Sequence, residues 1–340
     1  MAKEISKPIS MLIAGGVITV FAIGIIYAGC VRHGQLSHDG SAVRILKLGH
    51  GLSMQHPVHK AMEIMAERIK ELSKGTMEVQ IYPSGMIGSE TECYKQVQNG
   101  QLDMSKTSAA TLETAMPVME AFSAPYVFRD ATHFWKVLDG PIGTELAENF
   151  PGLRGVAYFD AGTRSFYTSK KPIHKVEDLE NLKIRTQESR CAMAMVTAFN
   201  ASPTPIPWGE LYTALAQGTV DAAENNLPSY ESGRHTEVCK YFTFSEHTRI
   251  PDVLLIGRKT WDSLTEEQQG WIMTAGREAS IAQRELWSKE EKVSYEKAKA
   301  LGVEFITIED KKPFEEKMKA VYDKLPDDTK ALVKKIQEVQ

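Results

Sequence analysis

From residue 44 onward the chain alternates between two periodicities. RILKLGH (44–50) alternates apolar and polar side chains as a half-buried strand does. Pro57 opens a segment in which Val58, Met62, Met65, Ile69 and Leu72 recur at helical spacing until Gly75 stops it, and Met77, Val79 and Ile81 return to alternation. That is one strand–helix–strand unit, and a second follows. Ser89 and Glu92 form a capping box that opens a helix, Gly100 ends it, and QLDMSKT (101–107) is the next strand. Strands interleaved with helices predict a parallel sheet covered on both faces, an α/β fold.

Further along, 131–150 reads as helix with a break near Pro141. LRGVAYFDAG (153–162) reads as a strand, with RSFYTS (164–169) pairing after it. The pattern then restarts with a strand at 182–186, helices at 189–199 and 209–217, and a strand at 219–224, which predicts a second α/β domain. An apolar strand at 251–258 precedes a helical stretch from Thr265, whose capping box is completed by Gln268, to about Leu301. Unbroken, it would be about 50 Å long and could brace both domains. The mixed-charge tail, 310–340, reads as helical with a solvated face.

The first residues obey neither pattern. Lys3 and Lys7 precede an uncharged, apolar run from Pro8 to Val31, so residues 1–29 read as an export signal or a retained membrane anchor. The run ends in Tyr27-Ala28-Gly29-Cys30, which resembles a lipoprotein cleavage site with Cys30 as the lipidated residue, although Tyr27 stands where an aliphatic residue is usual. Residues 30–43 are a polar linker. The other cysteines, Cys93, Cys191 and Cys239, have no zinc spacing, and the patterns around Cys93 and Cys191 suit buried thiols.

A net charge of −4 with no basic block gives no reason to expect nucleic acid, so any anionic ligand must be drawn by local groups. Arg185 is the leading such group. Leu182 and Ile184 alternate with Lys183 and Arg185, and Ser189 opens a helix, which puts the guanidinium at the carboxyl end of a strand, where open α/β sheets bind ligands. Its planar fork of donors suits a carboxylate. Arg164, after a strand and a Gly turn, is a second candidate cation or an ordinary loop arginine. Asn225 and Asn226 close a strand before Pro228 and offer amides to hydroxyls or carboxylates, or serve as turn residues. Glu90 can accept from ligand hydroxyls or supply helix N-terminal charge, and His56 can face the same cleft. Trp208 and Tyr212 could wall it by stacking on a sugar face. His56 and His59 lack partners for a metal set, and no P-loop, GxGxxG, GxSxG, CxxC or HExxH motif occurs, which lowers the case for an enzyme and implies no cofactor.

Four blocks, YPSGMIGSETECYKQVQNGQLDM (82–104), PYVFRD (125–130), LENLKIRTQES (179–189) and PIPWGELYTALAQGTVDAAENN (205–226), together resemble the solute-binding proteins of tripartite ATP-independent periplasmic (TRAP) transporters over about residues 44–335. The resemblance implies a two-lobed periplasmic-binding-protein fold, joined by hinge strands and braced by a long helix. The expected lobes are 44–161 plus 250–289 and 162–249 plus 290–340. It implies an extracytoplasmic receptor that closes on a small organic acid and delivers it to TRAP membrane permease subunits, with no catalysis. Arg185 maps to the family's carboxylate clamp, Arg164 to a second arginine, and Asn225 or Asn226 to a polar contact. Glu90 and His56 map to hydroxyl contacts in sugar-acid members. The His-Pro pair and the ENN ending favour a uronate or aldonate. A C4-dicarboxylate or keto acid, or a sensing role toward a signalling partner, are the alternatives, and a tether through Cys30 or an uncleaved anchor would depart from the freely diffusing form.

Overall fold

The computed structural model describes residues 42–340, so the export segment, Cys30 and most of the linker lie outside the described residues. Two sheets dominate. The first is ordered β2-β1-β3-β10-β4, from Arg44–Gly49 (β1), Met77–Tyr82 (β2), Met104–Ser108 (β3), Leu153–Phe159 (β4) and Asp252–Gly257 (β10). The second is ordered β11-β9-β5-β8-β6-β7, from Arg164–Thr168 (β5), Lys183–Thr186 (β6), Ser202–Pro205 (β7), Ala222–Asn225 (β8), Tyr241–Thr248 (β9) and Glu304–Thr307 (β11).

Both sheets are mixed rather than parallel throughout, and the exception in each is one strand. β10 runs antiparallel to β3 and β4, and β5 runs antiparallel to β8 and β9. These are the strands that arrive from the other sheet. The chain passes from β4 into β5 through residues 160–163, and from β9 into β10 through residues 249–251. A strand leaving one sheet at its carboxyl edge enters the next by its amino end, so it must run against its new neighbours. For this reason RSFYTS does not pair with the strand before it. β4 pairs with β10, while β5 lies between β9 and β8. The carboxyl ends of the remaining strands, and the amino ends of β5 and β10, meet at one cleft.

Helix Pro57–Leu72 covers the first sheet through Val58, Met62, Met65 and Ile69, all fully buried. The long helix, Glu266–Ala300, is continuous over 35 residues, about 50 Å. Its first half packs on helix Pro57–Leu72 and β4, and its second half on helix Leu227–Ser232 beside the second sheet. The tail departs from expectation. Helices Lys312–Tyr322 and Asp327–Glu338 each bury one face, with Phe314, Met318, Val321, Val333 and Ile336 entering the largest core cluster. The first packs on helix Arg190–Ala198 and the second on Glu120–Ser123, so the mixed charge marks only their outer faces. Cys93, Cys191 and Cys239 are free and buried.

Candidate ligand-binding site

The cleft between the sheets encloses a cavity of about 80 Å³. Its wall is built from strand ends and helix starts: Ser108 at the end of β3, Arg185 and Asn225 near the ends of β6 and β8, and Arg164 and Asp252 at the first residues of β5 and β10. Helices Glu90–Asn99, Trp208–Ala216 and Leu227–Ser232 point their N-termini at it through Glu90, Trp208 and Ser229. Three positive dipole ends converging on one space favour an anion.

Arg185 is 3% exposed. Its Nε donates to the carbonyl of Ile206 at 2.8 Å, which fixes the plane of the guanidinium. Among the described residues no carboxylate pairs with it, and its terminal nitrogens make no hydrogen bond to the protein. Burial lowers its pKa, and the nearby Arg164 charge adds to that, though Arg185 remains protonated at any physiological pH. A buried guanidinium with open donors is costly unless an anion meets it.

Arg164 differs. Nε and one terminal nitrogen grip the carboxylate of Glu224, the same nitrogen donates to the Glu224 carbonyl at 2.7 Å, and the other donates to Asn225 Oδ1 at 2.7 Å. Of its five N–H groups one is left for a ligand. Burial would raise the pKa of Glu224, but Arg164 and His247 outweigh it and push it down to about 2. The pair is therefore a charged, neutral-sum unit, and its structural part is larger than the loop or second-cation roles considered from sequence.

The two asparagines divide the work. Asn226 Oδ1 caps helix Leu227–Ser232 by accepting from the Ser229 amide at 2.7 Å, and its Nδ2 donates to Asn225 Oδ1. Asn225 keeps its own Nδ2 without a partner among the described residues, on the cavity wall. Glu90 also lines the cavity, but its carboxylate is held by the Lys106 ammonium, the Ser108 amide and the Thr111 hydroxyl. His56 is not a lining residue. Its Nδ1 accepts from the Val58 amide as the cap of helix Pro57–Leu72, and its Nε2 lies 3.2 Å from the hydroxyl of Ser229, which does line the cavity. Burial lowers the pKa of His56 to about 3, with the Lys106 charge adding to it, so it is neutral. Trp208 walls the cavity, its ring seated on His235 at 5.0 Å. Gly233 makes room for that ring, since a Cβ there would sit 2.8 Å from it. Tyr212 turns away and donates to Glu237 at 2.8 Å.

Sequence reasoning passed over Lys106 and Asp252. Lys106 is 2% exposed, and its ammonium bridges Glu90 and, at 3.2 Å, Asp252 Oδ1. Burial alone would lower its pKa, but Asp252 and Glu90 outweigh that and raise it. The available signal was a lysine within β3, a strand buried along its whole length, and an aspartate opening the equally buried β10. Among the described residues no group of three or more His, Cys, Asp or Glu side chains could hold a metal ion, and no helix is long and apolar enough to cross a membrane.

Two mixed α/β sheets, a direct double crossing between them, a bracing helix and a buried, unpaired arginine in the shared cleft define a solute-binding receptor. The chain belongs to the bacterial extracellular solute-binding proteins of family 7, whose profile matches residues 48–328. It is 38% identical over 295 residues to the uncharacterized protein YiiZ of Salmonella typhimurium, covering 85% of this chain and 89% of that protein. It is 30% identical to the 2,3-diketo-L-gulonate-binding periplasmic protein YiaO of Escherichia coli, covering 82% and 85% of the two. In structure it is similar to a TRAP periplasmic solute-binding protein from Bradyrhizobium in complex with D-galacturonate, with a TM-score of 0.85, 39% identity, and 87% of this chain and 100% of that one covered. A TRAP solute-binding protein from Roseobacter denitrificans with bound β-D-glucuronate matches with a TM-score of 0.85 and 32% identity, over 87% and 100% of the chains.

Proposed function

We propose that this protein is an extracytoplasmic receptor for a sugar acid, a uronate first of all, which it delivers unchanged to a TRAP-type permease. The observation that carries this reading is Arg185: a nine-tenths-buried guanidinium, oriented by Ile206, with its terminal donors open to the cavity. A carboxylate there gains two charge-assisted hydrogen bonds and relieves an uncompensated buried charge. Asn225, the remaining N–H of Arg164 and the Trp208 face would serve the rest of the sugar. Uronates bound to two similar structures, and a diketogulonate receptor among the relatives, support that ligand class.

The lobes in this reading are 44–161 plus 250–289 and 162–249 plus 290–340. The chain crossings at 160–163 and 249–251 support the first two boundaries. The test is calorimetry of the wild type and Arg185→Ala with D-galacturonate, D-glucuronate and L-malate. Loss of the anchor is worth about 2–5 kcal/mol, so affinity should fall at least about tenfold with the fold intact. Equal affinity in the variant, or tightest binding to malate, would overturn the reading. Mass spectrometry of the released ligand should return the acid intact.

A further inference from the structure

The two walls of the cavity carry opposite electrostatic demands. On the side of the second sheet, Arg164 and Arg185 face one buried carboxylate, Glu224, leaving one positive charge with open donors. On the side of the first sheet, one ammonium, Lys106, is shared by two carboxylates, Glu90 and Asp252, leaving one negative charge. Asp252 Oδ1 takes the Lys106 bond, while among the described residues Oδ2 accepts no hydrogen bond, and the residue lines the cavity. Gln187, also lining, has a buried Oε1 with no donor among the described residues. At the rim, Glu188 adds a further negative charge, its carboxylate held by Thr91. One end thus lacks an anion, and the other lacks hydrogen-bond donors and repels anions.

We infer that Asp252, with Glu90 and Lys106, sets ligand selectivity: it admits polyhydroxylated acids bearing a single carboxylate and rejects those with a second carboxylate at the far end. The inference rests on the sugar-acid reading and deepens it. A hydroxyl satisfies Asp252 Oδ2 by donating to it, whereas a carboxylate has no proton to give and brings like charge against buried carboxylates, where screening is weak. Burial raises the pKa of Asp252 and the neighbouring Glu90 charge adds to that, while the adjacent Lys106 opposes the rise without reversing it. Lys106 cannot welcome the second acid instead, because both its carboxylate neighbours already claim it.

The experiment compares D-galacturonate with its aldarate, galactarate, in the wild type and in Asp252→Asn, by calorimetry. Measuring both ligands in both proteins cancels the difference between ring and open chain. The wild type should favour the uronate by at least about tenfold. Asp252→Asn, which keeps shape but removes the charge, should narrow that ratio by roughly tenfold while weakening the uronate only modestly. Glu90→Gln is the second variant, with a smaller narrowing expected because its carboxylate is already fully bonded. Aldarate binding as tight as the uronate in the wild type would overturn the inference with no variant needed, as would a ratio unchanged by Asp252→Asn. Failure of the wild type to bind any uronate would instead remove the sugar-acid reading beneath it.

Discussion

One nitrogen of Arg249 lies 2.7 and 2.8 Å from the two carboxylate oxygens of Asp160. The two residues stand in the two segments that cross between the sheets, so a charge pair staples the crossings side by side. Gln283 of the long helix adds to the staple, accepting from the Asp160 amide and donating to its carbonyl, both at 2.8 Å. Both charged side chains are largely buried. Arg249→Ala should therefore cost about 3 kcal/mol by leaving Asp160 uncompensated. Arg249→Lys should recover only part of that, since it cannot restore the same geometry. Urea unfolding of the three proteins would check this; a variant midpoint equal to the wild type would show that the pair is not a staple.

Gly162, in the first crossing, has φ +58°, and a Cβ there would meet Trp287 Nε1 and Glu291 Oε1 at 2.9 Å. Gly162→Ala should destabilise the protein by roughly 1–3 kcal/mol, from the left-handed backbone and the crowding together. Thermal melting tests it, with Gly302→Ala as the comparison. That site has a similar φ, +78°, but open space around it, so its loss should be smaller.

Glu113 reaches across to the start of helix Arg190–Ala198, accepting from the Ser189 hydroxyl at 2.7 Å and the Cys191 amide at 3.3 Å. Burial raises its pKa to about 7, although these hydrogen bonds pull the other way. Because the folded value exceeds the unfolded one, the folded protein holds the proton more tightly. The associated stability is full below about pH 4.5 and is lost as pH rises through about 7, some 3 kcal/mol in order of magnitude. Glu113→Gln lacks that dependence. The wild type should lose stability relative to the variant between pH 5 and pH 8, by differential scanning calorimetry; a constant difference across that range would contradict the assignment.

Thr91 donates to Glu188 at 2.7 Å across the cleft mouth, between the helix after β2 and the loop after β6. Thr91→Val keeps the shape and removes the bond, worth about 1 kcal/mol. Sugar-acid dissociation should quicken about fivefold while association changes little, because the contact forms only once the cleft has shut. Stopped-flow fluorescence would read both rates, and an unchanged off-rate would show that the bond does not hold the cleft closed.

Much of the scaffold was legible in local pattern. The capping boxes at Ser89–Glu92 and Thr265–Gln268 form as their spacing implies, and β6 ends beside a helix start with Arg185 on the cavity wall. What stayed hidden depends on partners distant in sequence. Ser202–Pro205 has two prolines in four residues and no strand-forming run, yet it pairs as an edge strand beside β6, where a missing N–H can face outward. The direction of β5 is set by which sheet it joins, and no pattern within RSFYTS carries that. The charge partition of the site was hidden for the same reason. Arg164 and Arg185 look alike in sequence, and only the placement of Glu224 beside one of them leaves the other unpaired.

Each reversed strand brings a site residue with it, Arg164 opening β5 and Asp252 opening β10, directly beyond the crossing segments. Points near a pivot travel least when two bodies swing apart. An arriving acid would find these two side chains almost where they stand in the shut protein, while Glu188 and Thr91 at the rim sweep through the widest arc. Recognition would then begin at the axle and be sealed at the jaws, so damage at the rim should shorten residence more than it impairs capture.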